Sequence, residues 1–303
     1  MRQVSKVELG SVLRKRVARL LTPTPETPQV SVGFNSASKV REALIEVAEK
    51  LNNPGWVSYL VGGTLRDLLV DNDGDQGVQP RDVDIIVQGA TREQLQDVLG
   101  QFLVLERLTR FGGLHLSRPL SSGSRVLFDI WTLADTWGFQ AKRIVPRIED
   151  FPETTFLNID SCAIELRETE GRDRALFEKG FFSSIANRAL DVNYAPNPYP
   201  YVCVARALVI AAQLDFTISR TLAEFILHHS AAGGVEALIE AQRSHYGVVR
   251  CDAGELGRWL HDIARQFDSG QYAICIEASD ARRLELRGDG AAADSRSQQP
   301  ASS

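Results

Sequence analysis

The heptad Arg81-Asp82-Val83-Asp84-Ile85-Ile86-Val87 limits what this chain can fold into more than any other stretch of it. Side chains of a strand alternate between its two faces, so Val83, Ile85 and Val87 fall on one, and Asp82, Asp84 and Ile86 on the other. Such a strand needs a core beneath it and leaves two carboxylates side by side above. Adjacent like charges repel unless a cation lies between them. Hard divalent ions such as Mg²⁺ take oxygen ligands, commonly one or two carboxylates with substrate phosphates. The run Val126 to Trp131 repeats the design, with Val126, Phe128 and Ile130 on an apolar face and Asp129 on the other. If the two strands are neighbours, three carboxylates could hold two metal ions about 3.5–4 Å apart, as in-line phosphoryl transfer requires.

Upstream, the apolar run Trp56 to Val61 reads as a strand that meets Gly62-Gly63, and Thr64 to Val70 reads as a short helix. Absent side chains let a phosphate approach the backbone, and the amides at a helix start favour an anion. Arg66 adds a guanidinium fork suited to phosphate oxygens. A lone Gly-Gly or a lone pair of aspartates is commonplace; glycines, Arg-Asp, an acid-faced strand and a third acid in succession are not.

Elsewhere the pattern is mixed. Val40, Ala43, Leu44, Val47, Ala48 and Leu51 form a helical stripe stopped by Asn52-Asn53-Pro54-Gly55. A polar loop is expected from Asp71 to Pro80. Thr91 with Gln94 makes a capping box opening a helix that ends near Phe102. Short strands are expected around 103–105, 114–116, 163–166 and 189–192. Many connections are too short for a crossover helix, which implies partly antiparallel pairing in an α+β domain. Beyond residue 200 the runs VCVARALVIAAQLDF, RTLAEFILHH, VEALIEAQR and ELGRWLHDIARQF read as helices, the last capped by Asp252 with Glu255. The chain therefore divides into a basic N-terminal helix and Pro-rich linker (1–36), a mixed domain (37–198), a small all-helical domain (199–286) and a tail (287–303) without the apolar content to fold.

Residues 1–20 hold six basic side chains against Glu8 alone, so the remaining chain carries -10 of an overall charge of -5. A body that acidic does not grip a long polyanion over its whole surface, and any nucleic-acid contact should be local. The N-terminal helix, with Leu9, Leu13, Val17 and Leu20 at helical spacing, is a candidate for it; a solvated or partner-facing helix is the alternative, and a transit peptide is a further one. No apolar run approaches the roughly 18 residues of a membrane span, and the N-terminus lacks a signal-peptide core. The four cysteines show no paired spacing and read as buried reduced thiols, which points to the cytoplasm. His115, beside Gly112-Gly113 in an expected strand, reads as structural or solvent-facing, with an approach to the site as the alternative, and His228-His229 as the end of a helix. Trp131 and Trp137, flanking Asp135, read as core or rim aromatics, with stacking on a base as the alternative.

The block VGGTLRDLLV…RDVDIIV resembles the head-domain signature of class II tRNA nucleotidyltransferases and bacterial poly(A) polymerases, within the DNA polymerase β-like superfamily. The likeness continues through RFGGLHL and LFDIWTL, through FLNIDSCAIEL, similar to the motif joining head and neck, and through ARALVIAAQLDFTISRTLAEFI, similar to the first neck helices. It covers roughly residues 38–230. The resemblance implies a polymerase β-like head of mixed sheet flanked by helices, followed by a helical neck. It implies that Asp82 and Asp84 coordinate catalytic Mg²⁺, that Gly62, Gly63 and Arg66 contact the triphosphate of ATP or another NTP, and that Asp129 is a third acid. The reaction implied moves a nucleoside monophosphate to an acceptor hydroxyl, an RNA 3′ end being favoured, and releases pyrophosphate.

Several positions depart from the family pattern. Where the joining motif has Asp-Phe-Thr-Ile-Asn, Phe156 replaces the aspartate, Asn158 the threonine and Asp160 the asparagine. Where the neck supplies an aspartate and an arginine that read the base, Pro200 and Cys203 stand, and only the next arginine, Arg206, remains. Neither replacement reproduces the hydrogen bonding of the residue it replaces. The helical part is also short for holding a tRNA. Base selection of the CCA-adding kind is therefore not expected. A catalytically silent nucleotide- or RNA-binding regulatory protein is the alternative.

Overall fold

The computed structural model describes residues 5–22, 36–70, 82–120 and 125–288. The loop expected at 71–80 and most of the expected linker and tail lie outside them. The chain divides into two compact units, 1–186 and 187–303.

In the first unit helices α1 (Lys6–Leu20) and α2 (Ser36–Lys50) precede β1 (Val57–Val61), α3 (Gly63–Val70), β2 (Asp82–Gln88) and α4 (Arg92–Leu99). There follow β3 (Val104–Leu108), β4 (Leu114–Pro119), β5 (Arg125–Thr132), α5 (Trp137–Lys142), β6 (Cys162–Glu165), β7 (Leu176–Glu178) and α6 (Phe181–Asn187). The seven strands form one mixed sheet in the order β3-β4-β5-β2-β1-β6-β7. Only β2 and β5 pair in parallel; the other neighbours are antiparallel.

The alternation in β2 and β5 has the expected result. Val83, Ile85, Val87, Phe128 and Ile130 are fully buried on one face, beneath Leu13 and Val17 of α1, Leu44 and Val47 of α2, Leu65 of α3, Leu95 of α4 and Phe181 of α6. Burial of each such side chain is worth roughly 1.5–3 kcal/mol, so this layer anchors the sheet. Among the described residues the opposite face has an apolar cover at one end only. There Tyr59, Val61, Ile86 and Ala163 meet Leu133, Phe139, Ile148 and Phe151, contributed by the chain that follows β5.

The basic N-terminal helix, expected to stand apart, is part of this unit. Its apolar stripe joins the core, Arg14 Nε donates to the Arg174 carbonyl at 3.0 Å, and Arg16 donates to the Leu68 carbonyl. Lys6 lies 3.6 Å from Glu178.

The second unit starts earlier than the sequence suggests, because β8 (Ala189–Leu190) pairs with β9 (Thr217–Ser219), which also pairs with β10 (Ala273–Ile274). Around this three-stranded patch, which a purely helical reading omits, stand α7 (Pro200–Leu214), α8 (Arg220–Tyr246), α9 (Ala253–Asp268) and α10 (Asp280–Gly288). Helix α8 joins the two helices expected at 220–229 and 235–243, with a break at Gly234 (φ 69°). Cys162, Cys203 and Cys251 are buried and unpaired as expected, whereas Cys275 is exposed. Among the described residues no helix is long and apolar enough to cross a membrane.

Candidate functional site

Along β2, Asp82 and Asp84 are half-buried and alternate with the buried Val83 and Ile85. Strand pairing places the other groups. Asp129 of β5 lies opposite Asp84, His115 of β4 opposite Asp129, and Arg107 of β3 opposite His115. Paired residues share a face, so Arg107, His115, Asp129 and Asp84 form one polar row across four strands. On the far side Val61 lies opposite Asp84, and the chain turns there into Gly62.

Gly62 has φ +70°, and a Cβ added to it would stand 2.5 Å from Asp84 Oδ2. Both the left-handed backbone and the close approach require glycine. Helix α3 begins here: the Leu65 amide donates to the Gly62 carbonyl at 3.2 Å, and Thr64 Oγ1 to the Asp82 carbonyl at 3.4 Å. The glycine turn and the acid strand are thus fixed to each other.

Arg66 folds back over the helix start, where a Cβ on Gly63 would stand 3.1 Å from its Nη2. The residue is buried; its Nε donates to Asp67 Oδ1 at 2.8 Å and its Nη1 lies 3.7 Å from Asp160 Oδ1. Any contact of Arg66 with a phosphate has to compete with these carboxylates. Asp160 is one of the positions at which the chain departs from the family pattern, so that departure has a structural use.

Asp129 does not stand alone. His115 Nδ1 donates to its Oδ1 at 2.5 Å, committing one carboxylate oxygen. His115, read from sequence as structural or solvent-facing, therefore belongs to the acid face. The available signal was the alternation of Leu114, His115 and Leu116, which puts the imidazole opposite the buried leucines.

Among the described residues no three His, Cys, Asp or Glu side chains converge as a ready-made metal cage. Asp82, Asp84 and Asp129 do share one face of the paired strands β2 and β5. Two adjacent carboxylates of one strand face nevertheless fit a hard divalent ion whose other ligands are substrate oxygens.

Arg206 lies in α7, in the second unit, half-buried and apart in sequence from every residue of the row. Pro200 occupies the first turn of α7, where its missing N–H costs nothing. Burial pushes the Cys203 thiol up to about 12, against a smaller opposing effect of Arg206. Both departures from the base-reading pattern therefore serve the helix and its core.

No protein-family model matches this sequence, and no curated protein does. Solved structures do match in fold. A CCA-adding enzyme in complex with CTP superposes with a TM-score of 0.53 at 19% identity, over 86% of this chain and 55% of that one. An apo tRNA-processing enzyme gives 0.51 at 19% identity, over 79% and 58%. An apo CCA-adding enzyme gives 0.50 at 19% identity, over 76% and 49%. The chain spans about half the length of these structures, and its α+β architecture is theirs.

Proposed function

We propose that the first unit is the head of a Mg²⁺-dependent nucleotidyltransferase, which moves a nucleoside monophosphate from an NTP to an acceptor hydroxyl, with an RNA 3′ end as acceptor and pyrophosphate released. The observation that carries this reading is the contact of Gly62 with Asp84. A side-chain-free turn at the start of a helix is pressed against a strand bearing two carboxylates, in a fold shared with CCA-adding enzymes.

The acceptor hydroxyl loses its proton to solvent, its oxygen bonds to the α-phosphorus, the bond to the bridging oxygen breaks, and pyrophosphate leaves with that electron pair. Asp82 and Asp84 would hold Mg²⁺, which when bound supplies charge for the triphosphate and acidifies the acceptor hydroxyl. The Gly62-Gly63 turn admits the triphosphate to the backbone amides of α3. Asp129, held at one oxygen by His115, adds a negative group one strand from Asp84. Arg66 orients the turn through Asp67 and Asp160. The second unit, with Arg206, serves as a neck, and the protein works in the cytoplasm.

A second reading, a silent nucleotide- or RNA-binding regulatory protein, is favoured by Pro200 and the buried Cys203 in place of base-reading groups. Incubation with each labelled NTP and total RNA, with and without Mg²⁺, separates the two. Mg²⁺-dependent label on RNA supports transfer. Nucleotide binding without label on any acceptor supports the silent protein and sinks the enzyme.

A further inference from the structure

The polar row ends on β3, and beside it the turn from β3 to β4 carries an aromatic group that the transfer reaction leaves unused. The rings of Phe111 and Trp137 stack at 5.7 Å between centroids and 23° between planes. Phe111 is 38% exposed and Trp137 half-buried. Neither ring is in the core layers on either side of the sheet. Trp131, by contrast, is anchored through its indole Nε1, which donates to Thr136 Oγ1 at 3.0 Å.

The support for this pair is built before any ligand arrives. The Thr109 amide donates to the Gly113 carbonyl at 2.7 Å, the Gly112 amide to the Thr109 carbonyl at 3.0 Å, and the Gly113 amide to Thr109 Oγ1 at 2.9 Å. Gly112, at φ +85°, leaves room for the Arg92 guanidinium, which lies 3.1 Å from Asp135. The acid between the two tryptophans is thereby answered from within.

Exposed arginines lie on the neighbouring segments. Arg107 and Arg110 flank the approach along β3, and Arg143 follows α5 on a left-handed backbone (φ 54°), all three exposed. Arg107 and Arg143 make no side-chain hydrogen bond or ion pair among the described residues. A stacked ring pair on segments that also carry exposed arginines, in a chain of net charge -5, fits a single-stranded nucleic acid, whose bases stack on aromatic faces while its backbone meets cations. Direction follows from the register. From Asp84 the row crosses two strands to His115, about 10 Å, and from His115 the turn lies about 10 Å along β4. That is the reach of a few nucleotides behind a reacting 3′ end.

We propose that Phe111 and Trp137, with Arg107, Arg110 and Arg143, form a platform on the first unit that binds the single-stranded RNA segment just upstream of the acceptor end. The assignment of a strand to this surface rests on the nucleotidyl-transfer reading for its direction, but its test does not require transfer.

The test uses the full chain and a fluorescein-labelled ten-nucleotide single-stranded RNA, with anisotropy measured in EDTA and without NTP. Phe111→Ala and Trp137→Ala should each weaken binding about tenfold, Trp137→Phe should restore most of it, and Arg107→Ala with Arg143→Ala should flatten the salt dependence. Circular dichroism of each variant controls for folding, and the exposed Phe111 and Arg143 give variants that leave the core intact. Absence of RNA binding by the native protein overturns the platform, and so does native-like binding by the Phe111→Ala, Arg143→Ala variant. Loss of self-association on sedimentation with RNA binding unchanged would reassign the surface to a second copy of the chain. Failure of the labelled-NTP assay with RNA binding intact would sink transfer and leave the platform standing.

Discussion

The face of the sheet that bears the acids has two halves of opposite character. Over β1, β6 and the Ile86–Trp131 end of β2 and β5 it is sealed by Leu133, Phe139, Ile148 and Phe151; towards the other end it keeps Asp84, Asp129, His115 and Arg107 in line. The strands are the same. The difference lies in the chain after β5, which turns back over one half and leaves the other open. Carboxylates cannot be sealed beneath such a cover without partners, because desolvation of an unpaired charge costs more than packing returns. Stability and chemistry therefore occupy separate halves of one surface.

The largest effect expected on the open half is on chemistry alone. Asp82→Ala combined with Asp84→Ala should lower NTP transfer on the order of a thousandfold or more, the scale of losing a charge-stabilising group at a reacting centre. The melting temperature should stay near native, since neither side chain belongs to the buried core layers of the sheet. Transfer assays beside thermal melts decide it; retained turnover in this variant would sink the mechanism.

On the sealed half the converse is expected. Phe151, 4% exposed, packs over the sheet, and Phe151→Ala should cost about 3–5 kcal/mol in urea unfolding through lost burial and the cavity left behind. Transfer per folded molecule should remain near native. A large loss of turnover at temperatures where the variant is folded would show that the two halves are not separate.

Gly62 stands where the halves meet, so one substitution there should touch both properties. Gly62→Ala forces an alanine to φ +70° and sets its Cβ against Asp84 Oδ2. The backbone alone costs about 1–2 kcal/mol, and displacement of Asp84 should cut transfer about tenfold. Unfolding and kinetics measured on the same preparation check the pairing; a variant that changes neither would mean that the turn and the strand are not in contact.

How much of this could be read from sequence depends on whether the signal was local. The alternation Val83, Asp84, Ile85 and its repeat around Asp129 are local, and both strands and both faces follow from them. The capping boxes of Thr91 and Asp252 are local too, and both form. The parallel pairing of β2 with β5, by contrast, is set by which apolar faces share a core, and no residue of either strand announces its partner. His115 shows the consequence: its role follows from lying opposite Asp129, which only the register reveals. The docking of α1 was missed for a related reason. Its arginines suggested a polyanion, whereas the carbonyls of Leu68 and Arg174 that receive two of them are brought near by the fold. The short strands β8, β9 and β10 carry too few residues to show a period.

The smallest effect expected lies in the second unit and serves as a control on pH. His229 of α8 has the Phe225 ring at 4.4 Å and the His228 ring at 4.9 Å. Burial first, and the charge of His228 second, hold its imidazole below the ordinary value of 6.5. The native state then binds fewer protons than the unfolded chain. The stabilisation is complete above pH 6.5 and is lost as pH falls through the lowered native value. Between pH 7.5 and 5 the native protein should therefore lose more melting temperature than His229→Gln. Parallel curves would remove His229 as a source of acid sensitivity. Any acid-induced fall in transfer that persists in His229→Gln at temperatures where both proteins are folded has its origin elsewhere, and the open half of the sheet is the first place to look for it.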